Sequence, residues 1–537
     1  MAQSELSPET TSAPVENILI SGLQKHLGFR GSAGVALAGC LGLAELLPLG
    51  IGMGLWPSVD MVKVVAIAIG VNLFIVLLYT LISAAAPLSG ADYVFTSRVL
   101  PAPFAFAGFF CLVIAAALAV GGLAVLVSQA VMTPFLLYSA TQFQNSNLAD
   151  FAIAMTQPQG SIIAGTVIVF LAFLIAVLSP KTNRRVLFVL LALGLAGWAA
   201  IIFQLLSADS AGFASRWDNV VGQGSFAGQI SAARALSLMF TTTPSPLFLA
   251  GIPLGFLIFF GARLPALHSE EIQGSPTKST LWGGLLALLV SGGLAVVTLL
   301  LLSRLLPGDW MAAESHLYLY NNQLEKPALP WLPFYAVLLQ PNYPLFVVSS
   351  IGLLAASLAA LQVIIRAFGR TVFAWARDGF LVELARYVHS GNHNPLVTTM
   401  LFTIVAQIGV SIAATVGAMK TLNSSMFALV CAQIFPALAA VFYPLARRRW
   451  LKHGDATVGK VPPVLLTFLG LLTLAFLGWT IATTFIYPAQ GAAINRLDLF
   501  ILGGGFVVGL IMFFWQAINF RKHGESFFQS FRQIPKE

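Results

Sequence analysis

Runs of roughly 20 apolar residues recur along almost the whole chain, separated by short polar stretches. Each run is long enough to cross a hydrocarbon core of about 30 Å as a helix. A membrane barrel would show alternating segments of about ten residues instead, and none appear. The pattern predicts twelve spans. Six lie in the first half: Val35 to Leu55, Val64 to Ala84, Phe104 to Gln129, Ser161 to Ser179, Val186 to Leu206 and Pro246 to His268. The others are Leu281 to Ser303, Leu345 to Ile365, Val397 to Val416, Met426 to Ala446, Val464 to Ile486 and Leu499 to Phe520. The first 31 residues are polar, with no short apolar region before a cleavage site, so span 1 itself is expected to direct insertion.

Two spans differ from the rest, because Gly, Pro and an ionisable residue interrupt them near their middles. Span 1 carries Gly39, Gly42, Glu45, Pro48 and Gly50; span 6 carries Pro253, Gly255, Gly261, Arg263 and Pro265. Interruptions five helices apart are what a five-plus-five inverted repeat predicts, with two broken helices exposing backbone groups to a central solute. The structural alternative is that Gly and Pro simply permit close packing. The breaks are expected near Cys40 to Ala44 and Phe259 to Ala262.

Composition agrees with a lipid solvent: 58% of the residues are apolar and 9% charged, against about 25% charged in soluble domains. The formal charge of +8 does not point to nucleic acid. With the N-terminus inside, 20 of the 28 Lys and Arg fall in cytoplasmic segments, 7 outside and 1 in a span. That is the positive-inside pattern of a protein in the cytoplasmic membrane with both termini cytoplasmic. Cys40, Cys111 and Cys431 lie within apolar spans, as small buried hydrophobes and not as a disulfide framework or metal site. His389 and His393 are four apart, but Gly391 and Pro395 interrupt any helix and no third ligand is near. No Gly-rich loop with Lys is present to bind ATP.

Three segments carry a resemblance. PLSGADYVFTSR (Pro87 to Arg98) resembles the loop between spans 2 and 3 of the amino acid/polyamine/organocation transporter family. GRTVFAWARDGFL (Gly369 to Leu381) resembles the stretch after span 8, and EIQGSP (Glu271 to Pro276) a degraded form of the element that ends span 6. The closing HGESFFQSFRQIPKE is similar to the tail of a prokaryotic branch. The resemblance implies an all-α, leucine-transporter-like fold. On that resemblance, residues 1–31 are expected to form a cytoplasmic segment, 32–446 a ten-helix transport core with repeats at about 32–206 and 246–446, 447–520 two peripheral helices, and 521–537 a cytoplasmic tail. It also implies a solute site between the two broken helices, at Gly39, Cys40, Gly42, Leu43, Ala44 and Glu45 on one side and Phe259, Phe260, Gly261, Ala262 and Arg263 on the other. The family's Gly-small-Gly motif falls on Gly42-Leu43-Ala44, where the second glycine is missing.

Glu45 is the only acid deep within a span and Arg263 the only base. A charge at a helix centre costs on the order of 3 kcal/mol on insertion scales, so each needs a reason to be there. They are expected to face one cavity and either pair or divide the two ends of a zwitterion; the structural alternative has Arg263 snorkelling to Glu270 or Glu271. Asp92 and Arg98 in one loop, with Arg370, Arg377 and Asp378 in another, supply charges for a cytoplasmic gate. Coupling to a proton or sodium, exchange and facilitated diffusion all stay open, as do direction and oligomeric state. No cofactor is expected. The expected partners are a small-molecule solute and membrane lipid. A membrane-embedded enzyme would need a convergent catalytic set, and the interior acids reduce to Glu45. A transporter-derived solute sensor would share the same cavity.

Overall fold

A computed structural model of the protein describes residues 21–57, 59–238, 251–320, 329–452, 461–486, 496–522 and 527–531. Residues 1–20 of the N-terminal segment, the start of predicted span 6 (Pro246 to Ala250) and tail residues 523–526 and 532–537 lie outside the described residues. The described residues form helices and three isolated bridges, without strands. Among the described residues eleven helices are long and apolar enough to cross a membrane, one fewer than the predicted twelve.

The long helices are built on α1 (Phe29–Leu47), α2 (Met61–Ala85), then, after the short α3 (Ala91–Val99), α4 (Ala102–Val127), α5 (Pro158–Ala176) and α6 (Pro180–Ser207). The short α7 (Ile252–Ile258) precedes the long α8 (Pro276–Leu305). Two caps, α9 (Gly308–Tyr320) and α10 (Leu332–Leu339), lead to α11 (Tyr343–Arg377) and α12 (Leu396–Val416). The chain closes with α13 (Ala418–Ala432), α14 (Ile434–Lys452), α15 (Pro463–Ile486) and α16 (Gly505–Lys522). The helices start where the sequence supplies starts. Asp60 accepts from the Val62 and Lys63 amides, Asn342 from Leu345, and Pro opens α5, α6 and α8.

The missing twelfth is span 6. Its described part is the seven-residue α7 followed, after Phe259, by a 3₁₀ helix over Phe260–Leu267. Pro265 has no N–H to give an α-helical bond, and Gly255 and Gly261 weaken the α conformation around it. Near Phe259 the expected break is therefore present.

Span 1 differs from the expectation. α1 runs unbroken from Phe29 to Leu47, through Cys40 to Ala44, and the irregularity comes later as a π turn over Pro48–Gly52. The reason is energetic. Cys40 to Ala44 holds one glycine and no proline, a helix cost of about 1 kcal/mol. Opening the helix there would strand buried N–H and C=O groups at several kcal/mol each. Pro48 lacks the N–H outright, so the ladder changes at that point.

Small residues decide which helices touch. α6 lies on α11, where a Cβ on Gly197 would come within 2.7 Å of the Gly352 Cα. α13 lies on α4, while α1 packs between α8 and α11. Backbones this close gain dispersion contacts that lipid cannot match. The apolar window of α1 is 94% buried and that of α11 83%, against 33% for α15 and 22% for the helix ending in α16. The first two form the interior, and the last two the rim.

Candidate functional site

The unbroken α1 and the broken span 6 meet at Gly39 and Gly261. A Cβ on Gly39 would lie 2.5 Å from the Gly261 Cα and 3.1 Å from a Leu264 methyl. The Cys40 sulfur lies beside the Gly261 and Ala262 backbone and Ser291. Asn72 on α2 supports the break, donating to the Gly255 carbonyl at 3.2 Å and to Ala68 at 2.9 Å. The Gly255 carbonyl also accepts the Phe259 amide at 3.1 Å, so Asn72 ties α2 to the last turn of α7 through its second lone pair.

Two residues past Gly261, Arg263 is 3% exposed and its guanidinium carbon stands 4.0 Å from the Phe260 ring centroid, 4.6 Å from Phe256 and 5.2 Å from Tyr79. Tyr79 donates to the Gln433 side chain. The rings stabilise the cation through their negative faces, yet Arg263 Nη2 has no hydrogen-bond partner. Arg263 also feels the carboxylate of Asp92 on α3. Burial pushes Asp92 up to about 6, opposed by the Tyr93 amide and by Arg263.

Glu45 does not join this group. It is 3% exposed and neither carboxylate oxygen has a partner. At about 100° per residue, six residues carry it roughly 240° round the helix from Gly39. It therefore leaves the span 6 face. Contacts along α1 and α6 define where it goes. A Cβ on Gly34 would meet Leu187 and Phe188, and one on Gly194 would meet Leu41. Seven residues on in one helix match about seven in the other, so the two run parallel. Four residues further, Glu45 and Trp198 stand at one level. Trp198 is 1% exposed with Nε1 unpartnered, and on α11 the Ser357 hydroxyl is likewise unpartnered, one turn from Glu45 at Gly42. The expected pairing of Glu45 with Arg263 is not made, and Arg263 does not reach Glu270 or Glu271.

The other predicted positions divide accordingly. Gly39, Cys40, Phe260, Gly261, Ala262 and Arg263 come together at the α1–span 6 contact. Gly42 turns to α11, where a Cβ would lie 2.8 Å from the Ser357 nitrogen. Leu43, Ala44 and Phe259 are buried in the apolar core.

At the end of the bundle where α1 begins, charges lock several elements. Arg98 grips Asp378 with two bonds of 2.6 and 2.8 Å, and the Tyr93 hydroxyl donates to the same carboxylate at 2.8 Å. Arg370 does not pair with the predicted acids. It bonds Glu271 at 2.6 Å, and Arg366 reaches the same carboxylate at 3.2 Å. Burial would raise Glu271, but Arg370 and Arg366 hold it well below the usual carboxylate range. His26 lies 3.6 Å from it, and burial lowers that imidazole to about 4. Arg377 meets Glu270 at 3.3 Å, and Glu270 also accepts the Ser89 amide. Sequence reasoning named Arg98, Arg370, Arg377 and Asp378 here and missed Glu270 and Glu271, the acids that Arg377 and Arg370 meet. The signal was their place at the end of span 6.

At the opposite end a cavity of about 210 Å³ opens between Gln129, Thr133, Gln157, Tyr318, Trp331 and Lys420. It lies away from the Gly39–Gly261 contact. No group of His, Cys, Asp and Glu among the described residues forms a metal site.

A comparison with curated proteins returned no match. The family model described as amino acid permease matches residues 35–511, from early in α1 to the middle of α16. The match spans nearly all the apolar helices, and the chain is a multi-pass membrane protein that belongs to the amino acid permease family.

Proposed function

We propose that this permease is a secondary transporter moving amino acids or related small organic amines across the cytoplasmic membrane by alternating access. It crosses twelve times, with both termini and the charged end in the cytoplasm. The observation that carries this reading is the Gly39–Gly261 contact, which presses α1 onto a span that loses its α-helix and leaves Arg263 beside it with a buried, unused donor. A solute carboxylate would satisfy Arg263 Nη2, and the Phe256, Phe260 and Tyr79 rings would remain as a fixed wall. Gly39, Cys40, Gly261 and Ala262 complete that side.

Several features support the rest. The distribution of Lys and Arg supports the orientation. Span 5 packs on span 8 and span 10 on span 3 (α6 on α11, α13 on α4), and each contact maps onto the other by a five-span shift, as an inverted repeat requires. The Arg98–Asp378 and Glu271–Arg370 pairs act as the cytoplasmic gate, closed in this structure. Because Glu45 faces α6 and α11, we assign it to coupling, as the carrier of a proton or partner of a cation, and not to the solute.

The test is uptake of labelled amino acids into proteoliposomes, after a thermal-shift screen to choose them. Uptake is expected to rise when a proton or sodium gradient is imposed. Ligand binding without flux under any gradient would identify a sensor and overturn the reading.

A further inference from the structure

The cap helix α9 places three consecutive side chains on three different structures. Glu314 accepts the Leu329 amide, and Ser315 donates to the Gly50 carbonyl at 3.2 Å. His316 stands between two backbone carbonyls, with Nδ1 3.3 Å from Gly54 O and Nε2 3.1 Å from Leu236 O. Gly54 lies at the far end of the helix that α1 begins, and Leu236 caps the helix Ser225–Ala235, from which the chain leads to span 6.

A carbonyl oxygen only accepts, so each ring nitrogen must donate to make its bond. A neutral imidazole carries one N–H and an imidazolium carries two. In the neutral form, one of the contacts sets a nitrogen lone pair against an oxygen lone pair. Only the protonated ring satisfies both partners. The ring is 8% exposed and lies outside the apolar spans, so it can exchange protons with water.

We propose that His316 is a proton-binding latch on the external side, joining the outer end of helix 1 to the C-terminal cap of the helix Ser225–Ala235 when protonated and releasing helix 1, whose 3.3 Å contact is the longer of the two, when neutral. Among the described residues, the groups around it leave the switch to this ring. On α9 are Glu314, Tyr318 and Tyr320, the last with its ring 4.5 Å from the imidazole. The packed segment Pro48–Leu55 has no titratable residue, Ser225–Ala235 contributes the exposed Arg234, and α10 contributes Tyr335. Burial holds Glu314 up at about 8, so below that pH it is mostly uncharged and does not cancel a positive ring. Proton uptake therefore favours the latched form, and alkaline external medium favours opening. The orientation proposed above makes that side external; the latch itself is independent of the solute.

Hydrogen exchange of the full-length protein in lipid nanodiscs, corrected for intrinsic rate and read on peptides covering residues 48–57, tests the latch without any transport assay. Protection is expected to fall several-fold between pH 5.5 and pH 8 in the wild type, and to be low and independent of pH in His316→Gln and His316→Phe. A flat wild-type profile, or the same pH dependence in either variant, would overturn the proposal. Use of two variants guards against one that does not fold.

Discussion

Gly39 and Gly261 meet backbone to backbone, each occupying the space in which the other's Cβ would stand. Neither position tolerates a side chain without moving a helix. Gly39→Val is expected to lose roughly 1–3 kcal/mol of stability and to abolish uptake, with Gly261→Ala close behind. Gly293, also in a long helix but with nothing within 4 Å of its Cβ position, is the control: Gly293→Ala should match or exceed the wild type in a thermal melt. Equal melting temperatures for Gly39→Val and Gly293→Ala would show that the contact is not tight.

The Arg98–Asp378 pair is nearly sealed from water, with side-chain exposures of 1% and 8%. Removing one partner leaves the other charged and buried, at a typical cost of about 3–5 kcal/mol. Asp378→Ala and Arg98→Ala should each melt far below the wild type, and Arg98→Leu/Asp378→Leu together should recover much of the loss. Tyr93→Phe removes one hydrogen bond to a charged acceptor and should cost about 1.5–3 kcal/mol. A double-mutant cycle with no coupling energy would show that the two charges do not depend on each other.

Glu45 and Arg263 should respond differently to neutralisation. Glu45 has no partner to abandon, so Glu45→Gln is expected to be at least as stable as the wild type, to keep ligand binding and to lose gradient-driven accumulation. Arg263→Gln leaves its ring wall and is expected to weaken ligand affinity about tenfold or more, a loss of one charge-assisted bond of about 1.5–3 kcal/mol. Ligand titration by calorimetry alongside flux separates the two. Equal loss of affinity in both variants would return them to a shared site.

His26 supplies a pH dependence of known sign. Its folded value of about 4 lies below the ordinary 6.5, so between those values the unfolded chain binds more protons and stability rises with pH. Acidification from 6.5 towards 4 should therefore destabilise the wild type, by at most roughly 3 kcal/mol from this group. Asp92, raised to about 6, works in the opposite direction over part of that range, so the useful quantity is the difference between wild type and His26→Gln. Melting temperatures across pH that run parallel in the two would show that His26 does not contribute.

The sequence revealed the features that depend on local chemistry. Apolar run length located eleven of the spans, and the Pro and Gly content of span 6 located its break. Pro48 was equally visible, yet the glycines before it drew the expected break of span 1 several residues too early. What could not be read was which charge meets which across the two loops. Glu271 and Arg370 are 99 residues apart, and no periodicity marks either as the other's partner. The separation of Glu45 from Arg263 was hidden for another reason: it depends on the helical phase of α1, and an assumed unwound segment erases that phase.

The unbroken α1 also bears on how the preference of such a protein drifts over generations. Backbone amides are the same whatever the codon, so a site made from them resists point mutation. Here the α1 amides from Ala33 to Leu47 are committed to the helix itself, and in the proposed site a carboxylate approaching Gly39 would meet Arg263 and its rings instead. Side chains change with single nucleotides. A site of that kind would be retuned towards new solutes without any change in the course of the main chain.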